Sequence, residues 1–162
     1  MYNIGKLINE LIDYFQNDAK RINHFMKVWA YAKAIGENEE IDDNKQMILE
    51  TAAIVHDIGI KVSEAKYNSS SGKYQQIEGP AIAREVLEKL RYNENIIDRV
   101  CFLVANHHTY INIDDIDYQI LVEADFIVNI YEDSMQTEEI LNIDKKIFKT
   151  KTGHMYIKKM YL

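Results

Sequence analysis

Apolar residues recur along the chain at intervals of three and four, the period of helices that bury one face. Ile4, Leu7, Ile8, Leu11, Ile12 and Phe15 form one such stripe. A second, opened by Asp18 as a cap, carries Ile22, Phe25, Val28, Trp29, Ala32 and Ile35 and is read to end near Gly36. A third runs from about Asp43 through Met47, Ile48, Ala52 and Val55 and stops at Gly59. Pro80 suits a first helical turn, ahead of Ile82, Val86, Leu87 and Leu90. Asn93 is read as the cap of the next helix, which passes Ile97, Val100, Cys101 and Val104 to reach His107. Two more helices are predicted at about Ile116 to Tyr131 and Thr137 to Phe148. The tail past Gly153 is ambiguous, and strand pairs near the C-terminus stay open.

Ser63 to Gln76, with Ser69-Ser70-Ser71-Gly72 at its centre, interrupts the pattern. It is polar and aperiodic, which predicts a mobile surface loop. Thr109 to Asp115 is a second irregular stretch. One proline and six glycines in 162 residues leave helices little interrupted. No repeat or linker divides the chain. The prediction is an all-α fold, a single-domain irregular bundle of about six to eight helices spanning residues 1–162. Its chemistry-bearing part lies at about 21–131, with flanking helices at 1–17 and 137–149.

Hydrophobic residues make up 47% of the chain, enough for one core without staples. Asp and Glu number 26 against 19 Lys and Arg, a net charge of -7 that argues against long nucleic acid or anionic lipid as a partner. A small phosphorylated molecule stays compatible, because a bound divalent cation reverses the local field. No apolar stretch approaches the roughly 18 residues of a membrane span. The start, Met1-Tyr2-Asn3-Ile4-Gly5-Lys6, lacks a basic block followed by an apolar one, so no membrane association and a cytoplasmic location are expected. The single cysteine, Cys101, sits in an apolar run and reads as a core residue.

Candidate chemistry concentrates in five histidines and a few carboxylates. His56-Asp57 follows the apolar run Ala52-Ala53-Ile54-Val55 and precedes Ile58-Gly59. Neighbours inside a helix diverge by about 100° and rarely share an ion, but at a helix end they can converge. His107-His108 ends its helix in the same way. His24 lies close to the apolar face of the second helix, and by itself reads equally as a core histidine. Asp125 interrupts the apolar run Leu121 to Val128, where a carboxylate is costly unless paired, hydrogen-bonded or metal-bound. An exposed position on that helix is its other reading. Glu37-Asn38-Glu39-Glu40 and Asp114-Asp115-Ile116-Asp117 lack the spacing of a calcium loop, and His154 is given no role.

Taken in order, Arg21-Ile22-Asn23-His24, Ala52 to Gly59 with His56-Asp57, Asn106-His107-His108 and Glu123-Ala124-Asp125 resemble the HD-domain superfamily of metal-dependent phosphohydrolases. The resemblance spans Arg21 to Asp125, about two-thirds of the chain. It implies the irregular helical bundle of that family, with His24, His56, Asp57 and Asp125 around one divalent ion. Two imidazoles and two carboxylates suit Mn, Fe, Co, Ni or Mg. Relatives with two ions add a histidine before a glycine turn, where this chain has Gln75. One ion is therefore expected, with His107 and His108 facing substrate or a weaker second ion; Glu78 is a further candidate for that site and equally suits a cap for the helix at Pro80.

The implied activity is hydrolysis of a nucleotide or similar small phosphate ester, either monoester or diester, by a metal-activated water. Asp57 would hold metal and water, and His107 or His108 would serve the leaving group. Lys61 is the first candidate to contact phosphate oxygens, followed by Arg84 and then Lys73. Arg21 is read as a brace for a carboxylate or a helix end. One of Tyr67, Tyr74 and Tyr110 is a candidate to stack on a base, each reading as readily as packing or surface, and the 63–76 loop is expected to rim the pocket as a lid. The alternatives are a regulatory module that binds metal or nucleotide without turnover, and an HD-type di-iron oxygenase. Oligomeric state is left open.

Overall fold

The structure, a computed structural model, describes residues 3–162; Met1 and Tyr2, part of the N-terminal segment read for a leader, lie outside the described residues. Nine helices follow one another among the described residues, with no strand, so the strand pairs entertained near the C-terminus are not found. They are α1 (Ile4–Tyr14), α2 (Ala19–Asn38), α3 (Asp43–Val55), α4 (Ile60–Tyr67), α5 (Gly72–Lys89), α6 (Glu94–Asn106), α7 (Ile116–Glu132), α8 (Thr137–Lys146) and α9 (Lys151–Tyr161).

Two helices form the centre. From Ile48 to Val55 every residue of α3 is buried, and α7 is buried almost continuously from Asp117 to Ile130. A helix apolar on all sides must be wrapped by others. Here α1, α2, α6 and α7 surround α3, while α2, α3 and α9 pack on α7. Leu7, Leu11 and Phe15 of the α1 stripe enter the core beside Phe25, Val28, Ala32 and Ile35 of α2. Asp18 caps α2 by accepting from the Arg21 N–H at 3.1 Å. Cys101 is partly buried against the core, its thiol 3.4 Å from the Pro80 carbonyl.

The largest departure from the sequence reading is at 63–76. Residues 60–67 form α4, and α5 already begins at Gly72, leaving a short link that turns at Asn68 (φ 51°). Contacts between the two helices supply what the local sequence lacks. Tyr67 and Tyr74 stack with ring centroids 4.1 Å apart, and Lys66 pairs with Glu78 at 2.8 Å. Pro80 consequently lies inside α5 rather than in its first turn. Proline there forfeits a backbone hydrogen bond, but the preceding turns are fixed by packing: Gln75 and Gly79 are both buried.

Gly59 explains how that packing starts. A Cβ on it would stand 2.7 Å from the Gln75 carbonyl oxygen and 2.7 Å from the Gly79 nitrogen. Only glycine lets the turn after His56-Asp57 lie directly on the backbone of α5. Gly36 has a similar role, for α2 continues past it to Asn38, and a Cβ would meet the Gln46 amide oxygen at 2.2 Å. Its glycine serves the approach of α3 rather than a helix stop.

The tail forms α9, anchored through a buried carboxylate. Glu123 accepts from the backbone N–H groups of Lys149 (2.6 Å) and Thr150 (2.9 Å), from the Thr150 hydroxyl (2.5 Å) and from Gln119 (2.7 Å). His154 is tied to Asp144 at 2.6 Å. The acidic stretch before α7 is spent on structure, with Asp114 and Asp117 bound by Arg99 and Asp115 by Lys45.

Candidate metal centre

Four elements deliver side chains to one point. His24 comes from the second turn of α2, His56 caps the C-terminus of α3, Asp57 follows in the turn held by Gly59, and Asp125 comes from the middle of α7. The Nε2 atoms of His24 and His56 are 3.2 Å apart. His24 Nε2 lies 3.3 Å from Asp57 Oδ2 and 3.2 Å from Asp125 Oδ1, and His56 Nε2 lies 3.4 and 3.6 Å from the same two oxygens. His56 is fully buried, and His24 and Asp125 nearly so.

Tautomers decide what this cluster lacks. The Nδ1 of His56 is 2.8 Å from the Ala53 carbonyl, which can only accept, so that nitrogen carries the proton. His24 Nδ1 likewise faces the Glu132 carboxylate at 2.9 Å, and Lys27 pairs with the other Glu132 oxygen at 2.7 Å. In the neutral rings both Nε2 atoms are therefore lone pairs, turned towards each other and towards two carboxylates. Such a set of acceptors needs protons or a cation at its centre. Two ligands about 2.1 Å from one ion and at roughly right-angled to tetrahedral spacing are about 3.0–3.4 Å apart. The separations among His24, His56 and Asp57 suit a divalent cation held by two imidazoles and a carboxylate, and Asp125 lies beside both imidazoles at 3.2 and 3.6 Å, slightly beyond that range from His56.

Without an ion, protons take the place. Burial opposes charge on His24, but the hydrogen bond to Asp125, with Asp57 nearby, outweighs it and raises the pKa. His56 is raised further, the Asp57 and Asp125 carboxylates overcoming its complete burial. The same pairing holds Asp57 and Asp125 well below the usual carboxylate range against the upward push of burial.

A second group adjoins the first. Donor atoms of Asp57, His107 and His108 lie within 4.8 Å of one another. His107 repeats the tautomer logic: Nδ1 donates to the Val104 carbonyl at 2.8 Å, and the buried Nε2 has no hydrogen-bond partner, only Asp57 Oδ1 at 3.4 Å. His108 is different. Its Nε2 meets Gln75 Oε1 at 3.1 Å, while the Gln75 amide is fixed by donation to the Ser70 carbonyl at 2.7 Å. Burial, then the nearby His107, push its pKa down to about 4, so His108 is neutral at pH 7 and holds no excess proton for a leaving group. Glu78 does not join this group, being bound by Lys66 at 2.8 Å and the Tyr67 hydroxyl at 2.6 Å. The side chain from α5 that enters is Gln75.

The cluster opens on a cavity of about 440 Å³, lined by His24, Asp57, Gln75, His108 and Asp125 at its base. Lys20 and Arg21 from the start of α2 supply its cations. Neither Lys61 nor Arg84 reaches it. Lys61 donates to the Tyr14 carbonyl at 3.0 Å, and Arg84 is held by Glu94 and Asp98 across α5 and α6. Lys73 lies over the Tyr74 ring. Arg21 is braced by Asp18 at 3.0 Å and by Glu64, as its position one turn before His24 suggests. Tyr110 rests on Phe126 with its hydroxyl 3.4 Å from His108 Nδ1, and burial pushes that hydroxyl up to about 12. Of the expected lid, Ser70 and Gln75 line the cavity, but from a helix start and its link. Glu132 and Lys20 are the site residues that motif reading passed over, and Gln75 enters at the place where relatives with two ions carry a histidine. Glu132 carried a signal: it lies seven residues after Asp125, on the same face of α7.

Fold and site together define an all-helical protein with a buried histidine–carboxylate centre suited to a divalent metal. The HD domain model matches residues 21–149, and the chain belongs to the HD-domain family. An uncharacterized protein of Clostridium beijerinckii is 34% identical over 97 residues, covering 57% of this chain and 58% of that protein. A crystal structure described as a predicted HD superfamily hydrolase, from an uncultured Thermotogales bacterium, superposes with a TM-score of 0.71 at 19% identity, over 97% of this chain and 84% of the other. No helix among the described residues is long and apolar enough to cross a membrane.

Proposed function

We propose that the chain is a metal-dependent phosphohydrolase acting on a small phosphate ester, with nucleotides and similar phosphates as the substrate class implied by the family resemblance. The observation that carries the reading is the convergence of His24, His56, Asp57 and Asp125 at the base of an open cavity large enough for a small molecule. The similarity to a structure described as a predicted HD superfamily hydrolase supports it.

A bound ion would supply Lewis acidity and a water of lowered pKa. The residues supply the rest. Hydrolysis exchanges the ester P–O bond for a bond to the water oxygen, and the leaving oxygen collects a proton. Asp57, whose Oδ1 faces His107 Nε2 at 3.4 Å, is placed to orient the water and accept its hydrogen bond. His107 Nε2 is the free basic atom next to it, the position from which a proton can be taken and returned. Lys20 lines the cavity with no ion-pair partner among the described residues, and so is the cation available to a non-bridging phosphate oxygen.

Phosphate release from a panel of nucleotides and simpler esters, with Mn, Co, Ni or Mg added in turn, tests the reading. Turnover that needs added metal and disappears with chelator is expected. A metal-loaded, folded protein that binds nucleotide without releasing phosphate would favour the regulatory module, and two irons with a charge-transfer band would favour the oxygenase.

A further inference from the structure

Resting on the phosphohydrolase reading, we infer that the organic part of the substrate is polyhydroxylated, a sugar or polyol bearing one phosphate, and that no nucleobase is recognised. The cavity wall supplies the reason. Apart from the histidines it contains no aromatic ring among the described residues. The tyrosines nearest the motifs are engaged elsewhere: Tyr67 and Tyr74 stack on each other, and Tyr110 packs on Phe126. A base entering this space finds no tyrosine, tryptophan or phenylalanine ring to stack on, and the His24, His108 and Arg21 planes are already held by other partners.

What the wall does present is a ring of hydroxyl partners. Asp133 stands exposed at the end of α7 with no ion pair among the described residues. Asn129 spends its amide N–H on Asp125 at 3.0 Å, which leaves its carbonyl oxygen as an acceptor. Ser70 adds to the set, while Asp18 and Glu132 also line the wall but are already engaged by Arg21 and by His24 and Lys27. Carboxylates and amide oxygens accept the O–H groups of a polyol, and a serine hydroxyl also donates to them.

Charge points the same way. Five carboxylates and two cations line the cavity, and Arg21 is already neutralised by Asp18 and Glu64. Among the described residues Lys20 is the lining cation without an ion pair, matching one phosphate beside an ion. The further phosphates of a nucleoside di- or triphosphate would face Asp133, the lining carboxylate outside the ion cluster with no ion pair among the described residues, and like charges brought together weaken binding.

The test compares kcat/KM for phosphate release from ribose 5-phosphate, a hexose 6-phosphate, AMP, ATP and p-nitrophenyl phosphate, with Mn supplied. Ribose 5-phosphate is expected to match or exceed AMP, and both sugar phosphates to exceed ATP tenfold or more. Replacing the exposed Asp133→Asn, with folding checked by its melting curve, is expected to narrow the gap to ATP several-fold. AMP more than tenfold better than ribose 5-phosphate would overturn the inference, because the base would then be contributing. So would a preference for ATP, or hydrolysis of p-nitrophenyl phosphate and nucleotides with none of the sugar phosphates; the phosphohydrolase reading would survive each of these. No release from any ester by a metal-loaded protein would overturn both.

Discussion

Replacing Glu132→Gln should weaken metal binding about tenfold, and Glu132→Ala by up to about a hundredfold. Glu132 holds His24 by its Nδ1–H at 2.9 Å, which leaves Nε2 as the lone pair that faces the other ligands. Its carboxylate is kept ionised, since Lys27 and His24 outweigh the effect of partial burial. Partners of this kind orient a ligating imidazole and raise its basicity, and losing one typically costs 10–100-fold in affinity, or about 1.4–2.7 kcal/mol. Glutamine keeps a hydrogen-bond acceptor but loses the charge, and Lys27 already offsets part of that charge at 2.7 Å. Both facts place the glutamine variant at the lower end of the range. Alanine also frees the ring to rotate. Competition against a fluorescent chelator gives the affinities directly, with circular dichroism confirming the fold. Affinities within twofold of wild type for both variants would refute the reasoning, because His24 would then need no support from Glu132 or would not be a ligand.

Metal affinity should rise with pH. The carboxylates raise the pKa of His24 and His56 above the ordinary value of 6.5 despite burial, so the ion-free fold gains stability from these protons below about pH 6.5 and loses it as the pH climbs through the raised values. The ion must displace them, and calorimetry in buffers of different ionisation enthalpy should count protons released near neutrality; none released would contradict this. Gly59→Ala should destabilise the fold by about 1–3 kcal/mol, since the added carbon meets backbone atoms of Gln75 and Gly79 that cannot swing aside. An unchanged Tm would rule that out. Glu123→Ala should cost about 3 kcal/mol by stranding the buried N–H and hydroxyl of Thr150 and the half-buried N–H of Lys149. Hydrogen exchange should show the loss first in α9, and undiminished protection there would refute the anchoring role.

The main helices were legible because their determinants are local. The α1 stripe, the Asp18 cap and the apolar run ending in His56-Asp57 each announce themselves within a few residues, and the structure has them in place. What was missed depends on partners distant in sequence. The α4 helix is stabilised across to α5 by Tyr67 on Tyr74 and Lys66 on Glu78, so its polar sequence read as a loop. Gly36 and Pro80 carry strong local signals for a helix end and a helix start, and tertiary packing overrides both. At the site, the chain order of histidines and aspartates marked the four residues that the fold gathers. Lys61 and Arg84 had the right charge and neighbourhood, but nearer partners occupy them. Lys20 could not be told from a surface lysine until the cavity was visible.

Metal content measured beside an Asp57→Ala, Asp125→Ala double variant tests the central claim most directly. Elemental analysis of wild-type protein loaded with Mn and freed of excess should find about one ion or more per chain, and the folded double variant should retain almost none. Equal metal in both, with the variant shown to be folded, would contradict the assignment of His24, His56, Asp57 and Asp125 as the ion's cradle.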